Sequence, residues 1–563
     1  MASTAKTNTS KTNSITKAAL NQPAPEKTKS QKLTFFSTML IAVGATIGAG
    51  IFFKNQSLVN NTGGNLIGVI AAWSIAIIAL IAMSFTFGEL VSKSKKYGGE
   101  GFIGWVRQFC GERLHKGLKN FMVIIYFTGN AFFMPYYACS AIQDSHEVFA
   151  TLVLNKTYTP INEWIMIGIA LVIMWYFIST SMKSIKFADA QNKIFMGLKF
   201  IPIAFAAIGG IVLYSMYGSQ AAPAATTLNS ASITDLTSSW VGFGVVACIP
   251  AIFFAYDGFY SATGSFGKMK DPKKGAASIA IGIVVISAIY ILVSLGLLLA
   301  NKDTPTISGL SLFGQNVGNA KVWGIIIFIM NCLIVMSIFG AINGIDLYSC
   351  DYFKSVIMEE TIPFSRLIKR KFNMEKDNKG VIVYCMVLFT IVFCMFTGIG
   401  MFYFNTWGGD HGATILKIYS LGDLLTNWTA LIVFGVIGLA ILSALIQKTK
   451  EIKKNKAKHS KNDIIFLIAA IVSLIVISIA YLYQTAQAIW NAIAYSLNYF
   501  QNRDGLKTND YRDEVLIPQY ILVALFILFH FVIFFNLMFT RRKTNNDISE
   551  VWLAKPKGDL LNE

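Results

Sequence analysis

Two short stretches of this 563-residue chain combine residue types that can do chemistry without a charged side chain. One is Gly44-Ala-Thr-Ile-Gly48-Ala-Gly50 and the other is Phe253-Phe-Ala-Tyr-Asp-Gly258-Phe259. Both lie inside apolar blocks, and both carry glycines that permit a helix to be interrupted. An interrupted helix exposes amides at the start of one half and carbonyls at the end of the other. The amides attract an anion and the carbonyls a cation. A small zwitterion with a carboxylate and an ammonium is therefore a cargo such a pair could hold. Gly48, Ala49 and Gly50 leave their amides open and suit the carboxylate, and carbonyls near Thr46, Phe254, Ala255 and Asp257 suit the ammonium. Alone, Gly44-x-x-x-Gly48 serves equally as a helix-packing motif; the second interruption is what favours a binding site. A nucleotide loop is excluded, because no strand precedes the glycines and no Gly-Lys-Ser/Thr follows them.

The elements that carry these stretches read as membrane-spanning helices. Residues are 54% hydrophobic and only 14% charged, against roughly 25% charged in average soluble domains. The apolar residues cluster in blocks near or above the roughly 20 needed to cross the hydrocarbon core. The fold class is therefore all-α and polytopic, with about twelve spans expected at 34–53, 66–92, 119–142, 162–181, 193–217, 240–263, 275–300, 322–348, 380–401, 424–446, 462–484 and 516–540. The two interruptions fall in the first helices of spans 1–5 and 6–10, as an inverted five-plus-five repeat with two appended helices requires. Residues 1–32 read as a disordered cytoplasmic tail and 33–450 as the core. Residues 451–540 hold the last two helices with an outer loop at about 485–515, and 541–563 form a C-terminal tail. The first apolar stretch follows a polar segment and reads as a helix, not a cleaved signal.

The net charge of +18 reports topology and not a nucleic-acid partner. Basic runs at Lys268 to Lys274, Lys369 to Lys371 and Lys448 to Lys461 alternate with nearly uncharged loops such as 218–239. This asymmetry predicts that both termini are cytoplasmic. The seven cysteines are odd in number without a Cys-x-x-Cys pair, and the five histidines are scattered, so no disulfide framework, metal site or cofactor is expected.

Beyond composition, several segments resemble, in order, the amino acid–polyamine–organocation superfamily across about residues 33–450. Gly44-A-T-I-Gly48-A-Gly50-I-F is similar to its first-helix signature, and GELVSKSKKYGGEGFIGW (88–105), with Glu89, to the end of its second helix. FFAYDGFYSATGSFGKMKDPKKG (253–275) resembles its helix-six segment, and AINGIDLYSCDYFKSVIMEETIP (341–363) its helix-eight exit. The resemblance implies a secondary transporter in the plasma membrane that moves amino acids by alternating access, with helices one and six unwound. A polyamine or other organocation exchanger, and a sensor that binds without transport, are the alternatives. It also implies that the Ala49 and Gly50 amides hold the carboxylate, that the Thr46, Phe254 and Asp257 carbonyls hold the amino group, and that Phe254 is an aromatic gate.

Polar residues inside apolar spans are functional candidates. Lys199 matches a lysine that titrates in some proton-coupled relatives; the competing expectation is a structural lysine bonded to carbonyls of the broken first helix. Asn130 matches a substrate-facing position in arginine exchangers, or serves as interhelical glue. Asp257 and Asp346 could attract a cationic side chain, or pair with Lys199 or backbone donors. Two departures stand out: Tyr260 where acid-resistance exchangers carry an acid, and Ser349-Cys350-Asp351 where a small-Arg pair is usual.

Overall fold

The computed structural model describes residues 33–48, 50–94, 101–217, 239–300, 306–310, 319–360, 362–373, 378–403, 413–455, 460–501 and 516–539. Backbone N–H and C=O groups in hydrocarbon must be satisfied within the segment itself, which leaves the helix as the default. The described residues are accordingly mostly helical, without a strand among them; an isolated parallel bridge joins Leu33 to Met269.

In chain order the helices are α1 (Phe35–Thr46), α2 (Gly50–Asn61), α3 (Leu66–Lys93), α4 (Phe102–Cys110), α5 (Glu112–Phe121) and α6 (Phe127–Val148). Then come α7 (Glu163–Ser181), α8 (Ile185–Leu198), α9 (Phe200–Tyr217), α10 (Ser239–Ala255), a 3₁₀ segment (Phe259–Lys268) and α11 (Gly275–Ala300). The chain continues as α12 (Ala320–Met358), α13 (Ser365–Lys371), α14 (Lys379–Tyr403), α15 (Ala413–Asn455), α16 (Lys461–Gln501) and α17 (Ile517–Phe539). Several starts are written locally, as side-chain oxygens at N-cap positions accept amides the helix cannot satisfy. Thr34 accepts from Ser37 N, Asn65 from Gly68 N, Asn162 from Trp164 N and Ser184 from Phe187 N.

Among the described residues ten helical runs are long and apolar enough to cross a bilayer, and the pair Gly244–Ala255 and Phe259–Phe266, bent by 47°, makes an eleventh. The expected first span is divided into α1 and α2, each only 12 residues long. Its helix reaches Asn61, past the boundary at 53, because Lys54 and Asn55 just beyond that boundary are buried within the protein and not exposed to lipid. Likewise α15 begins at Ala413 and α16 runs on to Gln501, through part of the segment assigned to an outer loop. Apolar side chains such as Ile208, Val387, Ile468 and Leu482 face outward. That arrangement would be costly in water but matches hydrocarbon. The interior is the run from α5 through α6, which is almost entirely enclosed by other helices.

Candidate functional site

Both sequence interruptions are real breaks, and they meet. α1 ends as Ile47 turns extended (φ −68°, ψ 106°), with its amide still on Val43 O at 2.9 Å. α10 ends at Ala255, and Gly258 takes φ +94°, a left-handed conformation that suits glycine. A Cβ on Gly50 would lie 2.9 Å from Ala255 Cα and 3.3 Å from its Cβ, so the two segments touch backbone to backbone. Gly48 is more open: its nearest neighbours would be Ala341 Cβ and Thr46 O, each at 3.9 Å. The glycines therefore bring the start of α2, where a helix has amides without intrahelical partners, beside the carbonyl end of α10. Ala49 lies outside the described residues.

The carbonyls assigned to the ammonium are partly engaged already. Phe254 O accepts from Asp257 N at 3.0 Å. Thr46 O and Ala255 O each lie 3.3 Å from the Tyr290 hydroxyl. The Thr46 hydroxyl donates back to Ala42 O at 2.8 Å. Each carbonyl keeps a second lone pair, so these bonds do not prevent a further donor from binding.

Lys199 stands at the joint between α8 and α9, and its ammonium donates to Ile47 O at 2.6 Å and Gly44 O at 3.1 Å. It thus satisfies the end of α1, where helical carbonyls have no partner of their own. It does not join Asp257, whose carboxylate instead accepts from Tyr126 Oη (2.5 Å), Tyr260 Oη (2.8 Å) and Gly258 N (2.9 Å). Tyr126 comes from the π turn Met122–Tyr126 between α5 and α6, a local widening of the helix that often accompanies functional positions. Asn130 donates to Tyr126 O at 2.8 Å, within its own helical run. Asp346 is buried on α12, away from the Asp257 hydrogen bonds, and its backbone carbonyl accepts from the Ser349 hydroxyl.

The sequence reasoning missed a buried ion pair. Lys54, fully buried on α2, donates to Asp423 Oδ1 at 2.5 Å, to Thr426 Oγ1 at 2.6 Å and to Asp423 O at 3.1 Å. Tyr137 and Ser57 donate to the same carboxylate at 3.1 and 3.2 Å. The ammonium also lies 4.6 Å from the centroid of the Phe254 ring, within cation–π range. Phe133 and Tyr137 pack on Phe254, and Phe53 stacks on Tyr137 at 4.6 Å. A signal existed: Lys54 is four residues beyond Gly50, on the same helix face. Hydropathy instead put Lys54 and Asp423 one residue outside their expected spans.

These features define a polytopic helical membrane protein whose two interrupted helices meet at an enclosed polar centre. Residues 33–502 match the amino acid permease family, and the chain belongs to it. It is 30% identical over 457 residues to an uncharacterized protein of Mycoplasma pneumoniae, covering 76% of this chain and 80% of that one. It is 22% identical over 377 residues to amino acid transporter protein 6 of Caenorhabditis elegans, covering 66% and 67% respectively. Among solved structures, MhsT in complex with L-phenylalanine matches 81% of this chain and 99% of its own, with 13% identity and a TM-score of 0.47.

Proposed function

We propose that this permease carries zwitterionic amino acids across the plasma membrane by alternating access. The observation that carries the proposal is the backbone contact of Gly50 with Ala255. It puts the amide-rich start of α2 beside the carbonyl-rich end of α10, the two poles that an α-amino acid needs. The amides of Gly48 to Gly50 take the carboxylate, and the carbonyls of Thr46, Phe254, Ala255 and Asp257 take the ammonium. Phe254, with Lys54 over its ring, closes the site on one side.

Most of the buried charge beside the two breaks is bonded within the protein, which supports a zwitterion over a polyamine; Asp346 on α12 is a further buried carboxylate. Lys54 and Asp423 neutralise each other. Lys199 and Asp257 have opposite signs, and each is bonded to groups of the protein itself. A polycation would need an excess of carboxylates left open to it, since buried charge without a partner is costly. Lys199 braces the end of α1, which supports a structural role; whether it also takes up a proton during transport is a second property of the same residue. The paired breaks support an inverted repeat, and the basic-loop asymmetry supports cytoplasmic termini.

Counterflow into proteoliposomes tests the proposal with a panel of labelled amino acids, ornithine and putrescine. Accumulation of amino acids against preloaded unlabelled substrate is expected. Preference for putrescine would make the protein an organocation exchanger, and saturable binding with no flux would make it a sensor.

A further inference from the structure

Tyr290 occupies a place that no role assigned above explains. It is fully buried on α11, and its hydroxyl is equidistant, at 3.3 Å, from Thr46 O in the first broken helix and Ala255 O in the second, while its oxygen also accepts from the Gly48 amide. A phenol has one proton, so it donates to these two carbonyls as a shared pair. Both carbonyls belong to helix ends, where intrahelical partners run out, and an unpaired carbonyl in hydrocarbon is costly.

The ring is fixed independently of the hydroxyl. It packs edge-on against Trp73 (5.7 Å) and Tyr256 (5.3 Å). Its helix is pinned on the same face one turn to either side. Ser287 bonds the Tyr256 hydroxyl at 2.7 Å, and Ser294 accepts from the Trp73 indole at 3.1 Å. Nearer the helix start, the Ser278 hydroxyl donates to Phe35 O at 3.2 Å. Ser287, Tyr290 and Ser294 are spaced i, i+3, i+7, the repeat of one helical stripe. The hydroxyl is thus held by a rigid strut while the two ends it touches are interrupted backbone.

We propose that Tyr290 is a positioning residue, its hydroxyl setting the separation of the two carbonyl ends that receive the substrate's ammonium. The inference rests on the carrier function proposed above and extends it to a residue outside the broken helices. Because the donor is shared and each bond is long, the device orients both ends without saturating either carbonyl.

The experiment compares wild type with Tyr290→Phe, which removes the hydroxyl and keeps the ring, and with Val284→Ala, an exposed position on the same helix, as a control. Amide hydrogen exchange in detergent micelles and substrate dependence of counterflow are read on all three. Tyr290→Phe is expected to speed exchange in both 44–50 and 253–259. It should also raise the half-saturation concentration by about tenfold with little change in maximal rate, the effect expected of one misplaced hydrogen bond. Val284→Ala should do neither. Unchanged exchange in either segment overturns the proposal, and so does an unchanged half-saturation concentration in a protein that transports. If wild type shows no flux, the carrier function fails and the exchange data alone decide whether Tyr290 positions both breaks.

Discussion

The Lys54 ammonium and the Asp423 carboxylate meet at 2.5 Å, joining the second half of the broken first helix to α15 directly beside Phe254. In a low-dielectric interior each charge is tolerated because of the other, and removing one partner strands the second. Lys54→Met or Asp423→Leu alone should therefore destabilise the protein by on the order of 3 kcal/mol. The double variant should recover most of that loss. Thermal unfolding of the purified protein in detergent checks this. A double variant no more stable than the singles would mean that the pair is not energetically coupled. If the pair also closes the site, the double variant should be stable yet slow in counterflow.

Gly50 tests the contact on which the proposed binding site depends. An added methyl would have to sit 2.9 Å from Ala255 Cα, inside any normal contact distance, and the neighbour is backbone that cannot swing away. Gly50→Ala should cut counterflow by at least about tenfold, the result of shifting a binding contact by one hydrogen bond's worth of energy. Gly50→Leu should abolish it, with both variants present in the membrane at wild-type amounts. Retained transport in Gly50→Leu would refute the site.

Lys199→Met removes two hydrogen bonds from the end of α1 while keeping most of the side-chain volume. The expected result is a substantial loss of transport, because Gly44 O and Ile47 O lose a charged donor that no neighbouring amide replaces. An imposed pH gradient separates the brace from a proton-coupling role. Coupling predicts that wild-type uptake accelerates on the acidic side and that Lys199→Met no longer responds. A variant that keeps the pH response leaves Lys199 as a brace only.

A pH effect is also expected where α12 leaves the bundle. Burial alone would raise the Glu359 carboxyl, but the hydrogen bond and charge of Lys119, at 2.6 Å, together with Ser355 hold it below the usual carboxylate range. A depressed carboxyl contributes stability that is full above its unfolded value and is lost as pH falls through the folded one. The stability difference between wild type and Glu359→Gln should thus be constant near neutrality and shrink on acidification below the ordinary glutamate range. Parallel melting curves across pH 3 to 7, on the order of the carboxylate range, measure it. A difference that grows on acidification would contradict the assignment. The effect should be modest, since Glu359 is partly exposed.

Much of this protein was legible in one dimension. Hydropathy and basic-loop alternation require only local composition, because the bilayer acts on each segment separately; they identified a polytopic helical chain. Glycine placement is likewise a local property, and it located the breaks at 44–50 and 254–258. Lys199 was visible because a lysine in MGLKFIPI is conspicuous in an apolar run.

What remained for tertiary structure is the choice of partners. Lys54 and Asp423 are 369 residues apart in the chain and met only when α2 packed against α15. Asp257 could have paired with Lys199 on charge alone, yet the π turn delivered Tyr126 to it while the lysine was drawn to the end of α1. Tyr290 looked like one more aromatic in an apolar helix until two helix ends converged on its hydroxyl. Composition and spacing decide which segments enter the membrane and where they break, since each responds to its immediate solvent. Which buried polar group satisfies which other depends on distances between helices, and those exist only after packing.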